Sequence, residues 1–251
     1  MLELLQKLMP WSWRVYPLPS AEIVSQICTG KRWNSYQGLQ QLVQEAVESR
    51  LEKVMSGRHH SKFAVHVRPS TIPNAGDGVF LSGHADPGDL VALYAGVYFP
   101  PIPPENFASS HQYSAPVGRS ITTIPPEEEL YTINLEGGGC INAYDAVSRV
   151  GRNCRDNPYA VGHMINHPQD RVVAKVVPAT FVWPDKYRKN APNKLHDGAW
   201  FVDAATLRPV KIPEDLPLRG VAMIASRAIE DGSEIFFRYN CKRPFPDWYT
   251  E

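Results

Sequence analysis

Between residues 35 and 55 the apolar side chains recur every three or four positions, which is the spacing of one face of an α-helix. Asn34 can cap the start of this helix and Gly57 can end it. A shorter helix is predicted over residues 20–28. The segment 1–61 is therefore predicted to be a helical N-terminal extension. The apolar positions of the long helix are Tyr36, Leu39, Leu42, Val43, Ala46, Val47, Leu51, Val54 and Met55.

After Lys62 the pattern changes to short apolar runs separated by Gly, Pro, Asn and Asp, which is typical of strands and turns. The last two runs flank a turn at Asp231-Gly232 and are predicted to form a hairpin. Residues 62–241 are thus predicted to form one mainly β domain, followed by a C-terminal tail at 242–251. The predicted strands are 63–67, 78–81, 90–99, 131–135, 141–144, 220–225 and 234–239.

Three consecutive glycines, Gly137, Gly138 and Gly139, lie between two of the predicted strands. Glycine supplies the positive φ that tight hairpin turns need, so a hairpin is predicted here. A phosphate-binding loop would need a helix directly after the glycines, and the sequence indicates none.

Two long stretches, 100–129 and 168–217, are interrupted by prolines and are predicted to be loops. Loops of this length inside a compact domain usually form functional walls or lack fixed structure. Part of the second stretch is expected to pack against the core, because it contains the aromatic residues Phe181, Trp183, Tyr187, Trp200 and Phe201.

The charge of the chain is balanced, with 26 Lys and Arg against 26 Asp and Glu. No overall electrostatic field would therefore draw the protein to nucleic acid or to an anionic membrane. We expect neither direct nucleic-acid binding nor membrane binding, and we expect a monomer that recognises any charged substrate locally. A chain of 251 residues is long enough to bury a sizeable core.

The cysteines are far apart and include no Cys-x-x-Cys pair, so neither a disulfide framework nor a structural zinc site is indicated. An intracellular location, in the nucleus or the cytoplasm, is the natural expectation. Residues 1–16 contain leucines with Lys7 and Arg14, which keeps a mitochondrial presequence as the lesser alternative. The four cysteines are Cys28, Cys140, Cys154 and Cys241.

The commonest hydrolase, nucleotide-binding and metalloprotease signatures are missing from the sequence. A subtler candidate is the run Gly76, Asp77, Gly78, Val79 and Phe80, in which two glycines precede a predicted strand. Glycines there let the backbone approach a ligand without obstruction by side chains. Taken alone, the run is more typical of an ordinary β-turn.

A second candidate is the segment 157–168, in which His163, Asn166 and His167 surround two apolar residues and Pro168 ends any helix. Such a turn can present an amide and backbone groups to a ligand that resembles an amino acid. The alternative is a capped turn with a histidine buried in the core. The third candidate is the tyrosine at the end of the last predicted strand, Tyr239.

The order of these segments resembles that of a SET domain. The resemblance covers residues 62–240 and rests on Gly-x-Gly-Val-Phe, on Tyr94-Ala95-Gly96, on the Asn-His turn, and on an ending of the form Ala-x-Arg-x-Ile, Gly-x-Glu-Ile and Tyr. Residues 131–135 and 141–143 are similar to the hairpin that precedes the Asn-His turn in this family. The segment 153–162 is similar to the SET domain-containing protein 9 branch.

The resemblance implies a β-fold with a pseudoknot, in which the last segment threads beside the Asn-His turn to form a cofactor site. It implies a methyltransferase that uses S-adenosyl-L-methionine and modifies a lysine of a protein substrate. By the same analogy the cofactor would contact Gly76, Asp77, Gly78, Val79 and Phe80, together with His163, Asn166 and His167. Tyr239 would be the catalytic residue that orients the substrate amine.

Several residues depart from the family pattern. Pro168-Gln169-Asp170 follows Asn-His where many SET domains have Ser-Cys-x-Pro-Asn, and only Cys241 lies near the end, so no zinc-closed site is expected. Arg238 stands where an Asp commonly precedes the tyrosine, and Val97 replaces an acidic residue. These departures support the alternative, a catalytically silent SET-like module that binds a protein partner.

Overall fold

The computed structural model describes residues 24–25, 27, 36–55, 62–99, 131–135, 139–143, 158–169, 172–183, 202–203, 208–209 and 219–239. A long helix, α1 (Tyr36–Met55), is followed by short strands and by a 3-10 helix at Gly162–Met164. The strands are β1 (Phe63–Pro69), β2 (Asp77–Gly83), β3 (Leu90–Leu93), β4 (Val97–Phe99), β5 (Thr132–Asn134), β6 (Cys140–Asn142), β7 (Val176–Val182), β8 (Val202–Asp203), β9 (Arg208–Pro209), β10 (Arg219–Ala225) and β11 (Glu234–Ile235).

The strands form small sheets with the orders β1-β2-β11, β3-β10-β7, β4-β6-β5 and β8-β9. Neighbouring strands in these sheets pair in antiparallel orientation. The predicted fold class, mainly β with short sheets and an N-terminal helix, is confirmed. Within the described ranges, no helix combines the length and the apolar character required to cross a membrane.

The core lies where the sheets and the helix meet. In β1 the side chains of Phe63 and Val65 are buried while their neighbours Ala64 and His66 are exposed, as expected for a strand with one face toward the core. All four residues of β3 are buried, and so are the last six of β10, because helix α1 and other strands cover these elements.

The predicted strand 90–99 is interrupted, which corrects the sequence-based expectation. Strand β3 ends at Leu93 and β4 begins at Val97, with Gly96 at a φ of +145° between them. A Cβ atom on Gly96 would lie 2.3 Å from the carbonyl oxygen of Asn142. The break is therefore set by close contact with β6, which lies more than 40 residues further along the chain.

Two further expectations about strands were wrong. Strands β10 and β11 do not form a hairpin, because β11 pairs with β2 through Glu234 and Phe80 while β10 lies between β3 and β7. The stretch 168–217, predicted to be a loop, contains the seven-residue strand β7 and the short strands β8 and β9. Strand β7 contains Pro178, and it is tolerated there because β7 is the last strand of its sheet.

The hairpin predicted at the three glycines is present. Strands β5 and β6 pair in antiparallel register, the amide of Leu135 donates to the carbonyl of Gly139 at 3.0 Å, and Gly139 has a φ of +81°. Gly137 and Gly138 lie outside the described residues, as does the predicted loop 100–129. Of the predicted helix 20–28, residues 24, 25 and 27 are described, and they are helical.

Helix α1 is joined to the β domain through its apolar face, which buries Leu39, Val43 and Val47 in the same core as the sheets. The side chain of Gln44 also hydrogen-bonds the backbone of Val182 in both directions, at 2.9 and 3.2 Å. These two bonds satisfy backbone groups at the end of β7, which would otherwise be an open sheet edge. The N-terminal helix thus packs on the β domain and covers the end of one edge strand.

Arg50 strengthens this attachment. Its guanidinium donates to the carbonyl of Leu90 at 3.1 Å and lies over the rings of Tyr159 and Phe63, at 4.2 and 5.1 Å from their centroids. A cation over an aromatic face is attracted by the partial negative charge of the π electrons on that face, and more strongly where water is excluded. Arg50 therefore links α1 to β3, to β1 and to the segment that leads into the 3-10 helix.

Replacing Arg50 with Met should lower the free energy of unfolding by about 1–2 kcal/mol, because Met keeps an aliphatic stem but loses the hydrogen bond and the ring contacts. Urea denaturation would measure the change. Gln40→Met, on the exposed face of the same helix, is the matched control and should change stability by less than about 0.5 kcal/mol. Equal stability of the two variants would contradict this role for Arg50.

Candidate functional site

The first part of the candidate site is the turn between β1 and β2. The amide of Ser70 donates to the carbonyl of Gly76 at 2.9 Å and closes the turn. Asn74 and Gly76 both have positive φ, at 64° and 74°, and a Cβ on Gly76 would meet no atom within 4 Å. The backbone at Gly76 is therefore open to the surroundings.

The second part is the segment that contains the Asn-His pair. The 3-10 helix at Gly162–Met164 packs so closely on β3 that a Cβ on Gly162 would lie 2.8 Å from the carbonyl oxygen of Leu93. Ile165 follows in an extended conformation and is fully buried. The rigid contact with β3 and the burial of Ile165 fix the position of the two polar residues that follow.

The third part is the final described segment, which lies beside the second. Phe236 forms a parallel bridge with Asn166, and the amide of Phe237 donates to the carbonyl of Asn166 at 3.2 Å. The amide of Tyr239 donates to Nδ1 of His167 at 3.0 Å. Since Nδ1 accepts, the neutral imidazole of His167 carries its proton on Nε2. Residues 236–239 thus run next to the Asn-His turn, which is the arrangement that the predicted pseudoknot requires.

The side chain of Tyr239 is held in one orientation. Its hydroxyl donates to the carbonyl oxygen of Ile165 at 2.8 Å. Its ring contacts the rings of Phe237 and His167, with centroids 4.7 and 5.4 Å apart. Because the hydroxyl proton is directed at the Ile165 carbonyl, the lone pairs of the phenol oxygen are directed elsewhere and can accept hydrogen bonds.

Asn166 joins the second part to the first. Its side-chain Nδ2 donates to the carbonyl of Asp77 at 3.0 Å and faces a carboxylate oxygen of Glu234 at 3.4 Å. This connects residues that are 89 positions apart in the sequence. Gly76, Asp77, Asn166, His167 and Tyr239 are consequently brought together at one junction, which we call the Asn166–Tyr239 junction.

The other predicted site residues lie around this junction in different ways. The side chains of Val79 and Phe80 are buried in the core, and Arg68 covers the Phe80 ring at 3.7 Å. At Gly78 the space for a Cβ is filled, because Oε1 of Glu234 would lie 2.2 Å from it. If Val79 and Phe80 contact a ligand, they do so through their backbone.

His163 is the unusual member of the predicted set. Its imidazole is 6% exposed, contacts the edge of Tyr94, and has no hydrogen-bond partner on either nitrogen among the described residues. Removal from water lowers the pKa of His163 from 6.5 to about 4. The ring is therefore neutral near pH 7, and one N–H donor and one acceptor are buried without a described partner.

Sequence reasoning missed two contributors to the junction. The carbonyl of Ile165 orients the Tyr239 hydroxyl, and no sequence signal identifies a particular backbone carbonyl. Glu234 contacts Asn166, whereas in the sequence it stands out only as part of the Gly-x-Glu-Ile motif. An acidic residue directly before the apolar run 235–237 was the available signal. Among the described residues, no group of three or more His, Cys, Asp or Glu could hold a metal ion.

Comparisons with known proteins give structural matches only. No protein-family model and no curated protein match the sequence. The chain is similar to CpSET8 from Cryptosporidium, with a TM-score of 0.38 and 13% identity over 80% of this chain and 67% of that one. It is also similar to ctPRC2 in an autoinhibited conformation bound to S-adenosylmethionine, with a TM-score of 0.39 and 17% identity.

The second match covers 79% of this chain and 18% of the ctPRC2 chain. With TM-scores below 0.5 and identities below 20%, neither match carries an argument about ligand or activity.

Proposed function

We propose that this protein is a SET-domain methyltransferase that uses S-adenosyl-L-methionine and transfers methyl groups to a lysine amine of a protein. The observation that carries the proposal is the hydrogen bond from the Tyr239 hydroxyl to the Ile165 carbonyl, at 2.8 Å. This bond lies where the three candidate segments of the sequence meet. A tyrosine fixed in this way is suited to orienting an amine.

Tyr239 and Ile165 place two oxygen atoms side by side at the junction. Both oxygens carry partial negative charge and attract N–H groups of an amine or the hydrogens of a polarised methyl group. S-adenosyl-L-methionine, when bound, supplies an electrophilic methyl group on a cationic sulfonium. The contribution of the two residues is positional, since correct alignment alone is worth effective molarities of roughly 10⁵ M or more.

The residues on the other side of the junction suit the amino-acid part of the cofactor. Asn166 uses Nδ2 for its described contacts, so its Oδ1 atom remains the acceptor that could receive an ammonium group. The exposed backbone at Gly76 gives a ligand close access to the turn. An amide oxygen and open backbone groups fit a zwitterionic amino-acid group better than a phosphate, which would need cationic or N–H donors.

The lysine amine must lose its proton before it can act as a nucleophile. Removal from water lowers the pKa of a lysine, and a nearby positive charge lowers it further. With its pKa lowered in this way, the lysine ammonium releases its proton to solvent water before methyl transfer, so no dedicated general base is needed. We further propose an intracellular protein substrate, with the lysine chain entering beside Tyr239.

Two observations support a second function, namely a catalytically silent SET-like module that binds a protein partner. The Glu234 carboxylate fills the space beside Gly78, so this glycine accommodates a side chain of the protein itself. Arg238, which replaces the commoner acidic residue, is exposed. Saturable binding of S-adenosyl-L-methionine distinguishes the two functions, because a site without room for the cofactor gives none.

Titration calorimetry with S-adenosyl-L-methionine should show saturable binding to the wild-type protein, and Asn166→Ala should raise the Kd at least about tenfold. The expected loss is that of one charge-assisted hydrogen bond together with the contact to Asp77, roughly 1.5–3 kcal/mol. Gln169→Ala, exposed and three residues further along, is the matched control and should leave the Kd unchanged. No saturable heat from the wild-type protein would favour the silent module.

A further inference from the structure

We infer that Glu234 is a positioning residue that fixes the orientation of Asn166 and holds the 70–76 turn against the Asn166–Tyr239 junction. This inference rests on the proposed function, which it extends to a residue that does not itself contact the reacting groups. It is carried by the hydrogen bonds of the Glu234 carboxylate, by its burial and by its contact with Gly78.

Glu234 is only 9% exposed, and its carboxylate accepts hydrogen bonds on both oxygen atoms. Ser70 Oγ donates to Oε1 at 2.6 Å, and the backbone amide of Thr71 donates to Oε2 at 2.7 Å. The Thr71 hydroxyl also donates to Oε2. These three donors all belong to the 70–76 turn. Glu234, which lies more than 160 positions later in the sequence, therefore holds that turn in place.

Within the described part of the chain, the groups that donate to the Glu234 carboxylate are the neutral hydroxyl, amide N–H and NH₂ groups of Ser70, Thr71 and Asn166. A buried carboxylate is costly unless hydrogen bonds compensate for the lost water. At Glu234 the compensation comes from neutral donors alone. The presence of a carboxylate at this position therefore indicates that its two acceptor oxygens are needed to hold these donors in place. An ionised carboxylate only accepts, so it can serve every one of these donors at once.

The same carboxylate determines which way the Asn166 amide faces. Both neighbours of Nδ2, the Asp77 carbonyl and Oε1 of Glu234, can only accept hydrogen bonds. The NH₂ group of Asn166 must therefore face them, because the reverse orientation would set oxygen against oxygen. Asn166 consequently presents Oδ1, its acceptor, to a ligand with a donor group, such as the ammonium of an amino acid.

Gly78 completes this arrangement. A Cβ at position 78 would lie 2.2 Å from Oε1 of Glu234 and 3.1 Å from Nδ2 of Asn166. The glycine thus leaves room for the carboxylate and the amide to meet against the backbone of β2. The pairing of Glu234 with Phe80 in the β2–β11 register fixes the backbone from which the carboxylate reaches this space.

Replacing Glu234 with Gln tests the inference. Gln has nearly the same shape, but its NH₂ group takes the place of one acceptor oxygen and faces the hydrogen-bond donors of the turn or of Asn166. The Kd for S-adenosyl-L-methionine should rise at least about tenfold, while turnover at saturating cofactor stays within about threefold. In an Asn166→Ala background the same replacement should change the Kd by less than about twofold. Such non-additivity is expected when one residue acts through the other, and a general loss of structure would not produce it.

A measurement without cofactor separates this inference from the proposed function. The side-chain amide resonances of Asn166, observed by NMR, should shift in Glu234→Gln and stay unchanged in Glu230→Gln, which alters an exposed glutamate four residues away. If Glu234→Gln fails to fold, Ser70→Ala removes a single donor to the carboxylate and should cause a smaller shift and about a threefold rise in Kd.

Each outcome decides one of the two ideas. Unchanged Asn166 resonances in Glu234→Gln, or an unchanged Kd in a protein that binds S-adenosyl-L-methionine, would overturn the positioning role and leave the proposed function standing. Absence of cofactor binding by the wild-type protein would overturn the proposed function. Shifted Asn166 resonances would then still support the link between Glu234 and Asn166.

Discussion

Tyr239→Phe should lower methyl-transfer turnover at least about 100-fold while the Kd for S-adenosyl-L-methionine stays within about twofold. The replacement keeps the ring contacts with Phe237 and His167 but removes the hydroxyl that bonds to the Ile165 carbonyl. An interaction made mainly in the transition state lowers turnover when it is lost and leaves ground-state binding intact. Single-turnover transfer of a radiolabelled methyl group into a lysine-containing protein substrate would measure the effect.

Tyr159→Phe provides the matched control for this experiment. Tyr159 is buried, and its ring lies under Arg50 of helix α1 rather than in the Asn166–Tyr239 junction. Its replacement should leave turnover within about threefold of the wild-type value. Wild-type turnover in Tyr239→Phe would show that the hydroxyl does not orient the amine, whatever the cofactor affinity.

The stability of the protein should depend on pH through His163, with a contribution of about 3 kcal/mol lost between pH 6.5 and pH 4. Burial lowers the pKa of this histidine to about 4 in the folded state, against 6.5 for an exposed histidine. Between these pH values the unfolded chain binds a proton that the folded chain does not. Protonation therefore favours the unfolded state as the pH falls, and the contribution is fully present above pH 6.5.

Urea denaturation at several pH values, for the wild-type protein and for His163→Leu, would isolate this contribution from that of the carboxylates. The stability of the wild-type protein relative to that of His163→Leu should fall as the pH drops from 6.5 toward 4, because Leu cannot take up a proton. Parallel stability curves across this range would contradict the desolvated state of His163.

Local patterns predicted the elements whose residues interact with near neighbours. The 3.6-residue period gave the helix over residues 35–55, and the structure has it at Tyr36–Met55. The hairpin at Gly139 followed from the turn chemistry of glycine and is present. Strands β1, β2 and β10 lie at the predicted places, with ends that differ by a few residues.

Elements that depend on distant partners were not predictable in the same way. The apolar run 90–99 shows no local break, since the break is imposed by the Asn142 carbonyl beside Gly96. Strand β7 was missed because proline and half-buried positions gave it no clear alternation. The turn at Asp231-Gly232 suggested a hairpin, but β11 pairs with β2 because strand pairing depends on which distant edge is available.

By itself the sequence determined the mainly β fold class, the long helix, and the order of the Gly-rich turn, the Asn-His turn and Tyr239. Periodicity and turn chemistry depend on interactions between residues that are close in sequence, so they can be predicted from the sequence alone. Only the tertiary structure decided that the Tyr239 hydroxyl hydrogen-bonds the Ile165 carbonyl and that the Asn166 side chain hydrogen-bonds the Asp77 carbonyl. It also decided that the Glu234 carboxylate contacts both the 70–76 turn and the side-chain amide of Asn166. These contacts span from 68 to more than 160 positions, and only the folded backbone brings such partners within hydrogen-bonding distance.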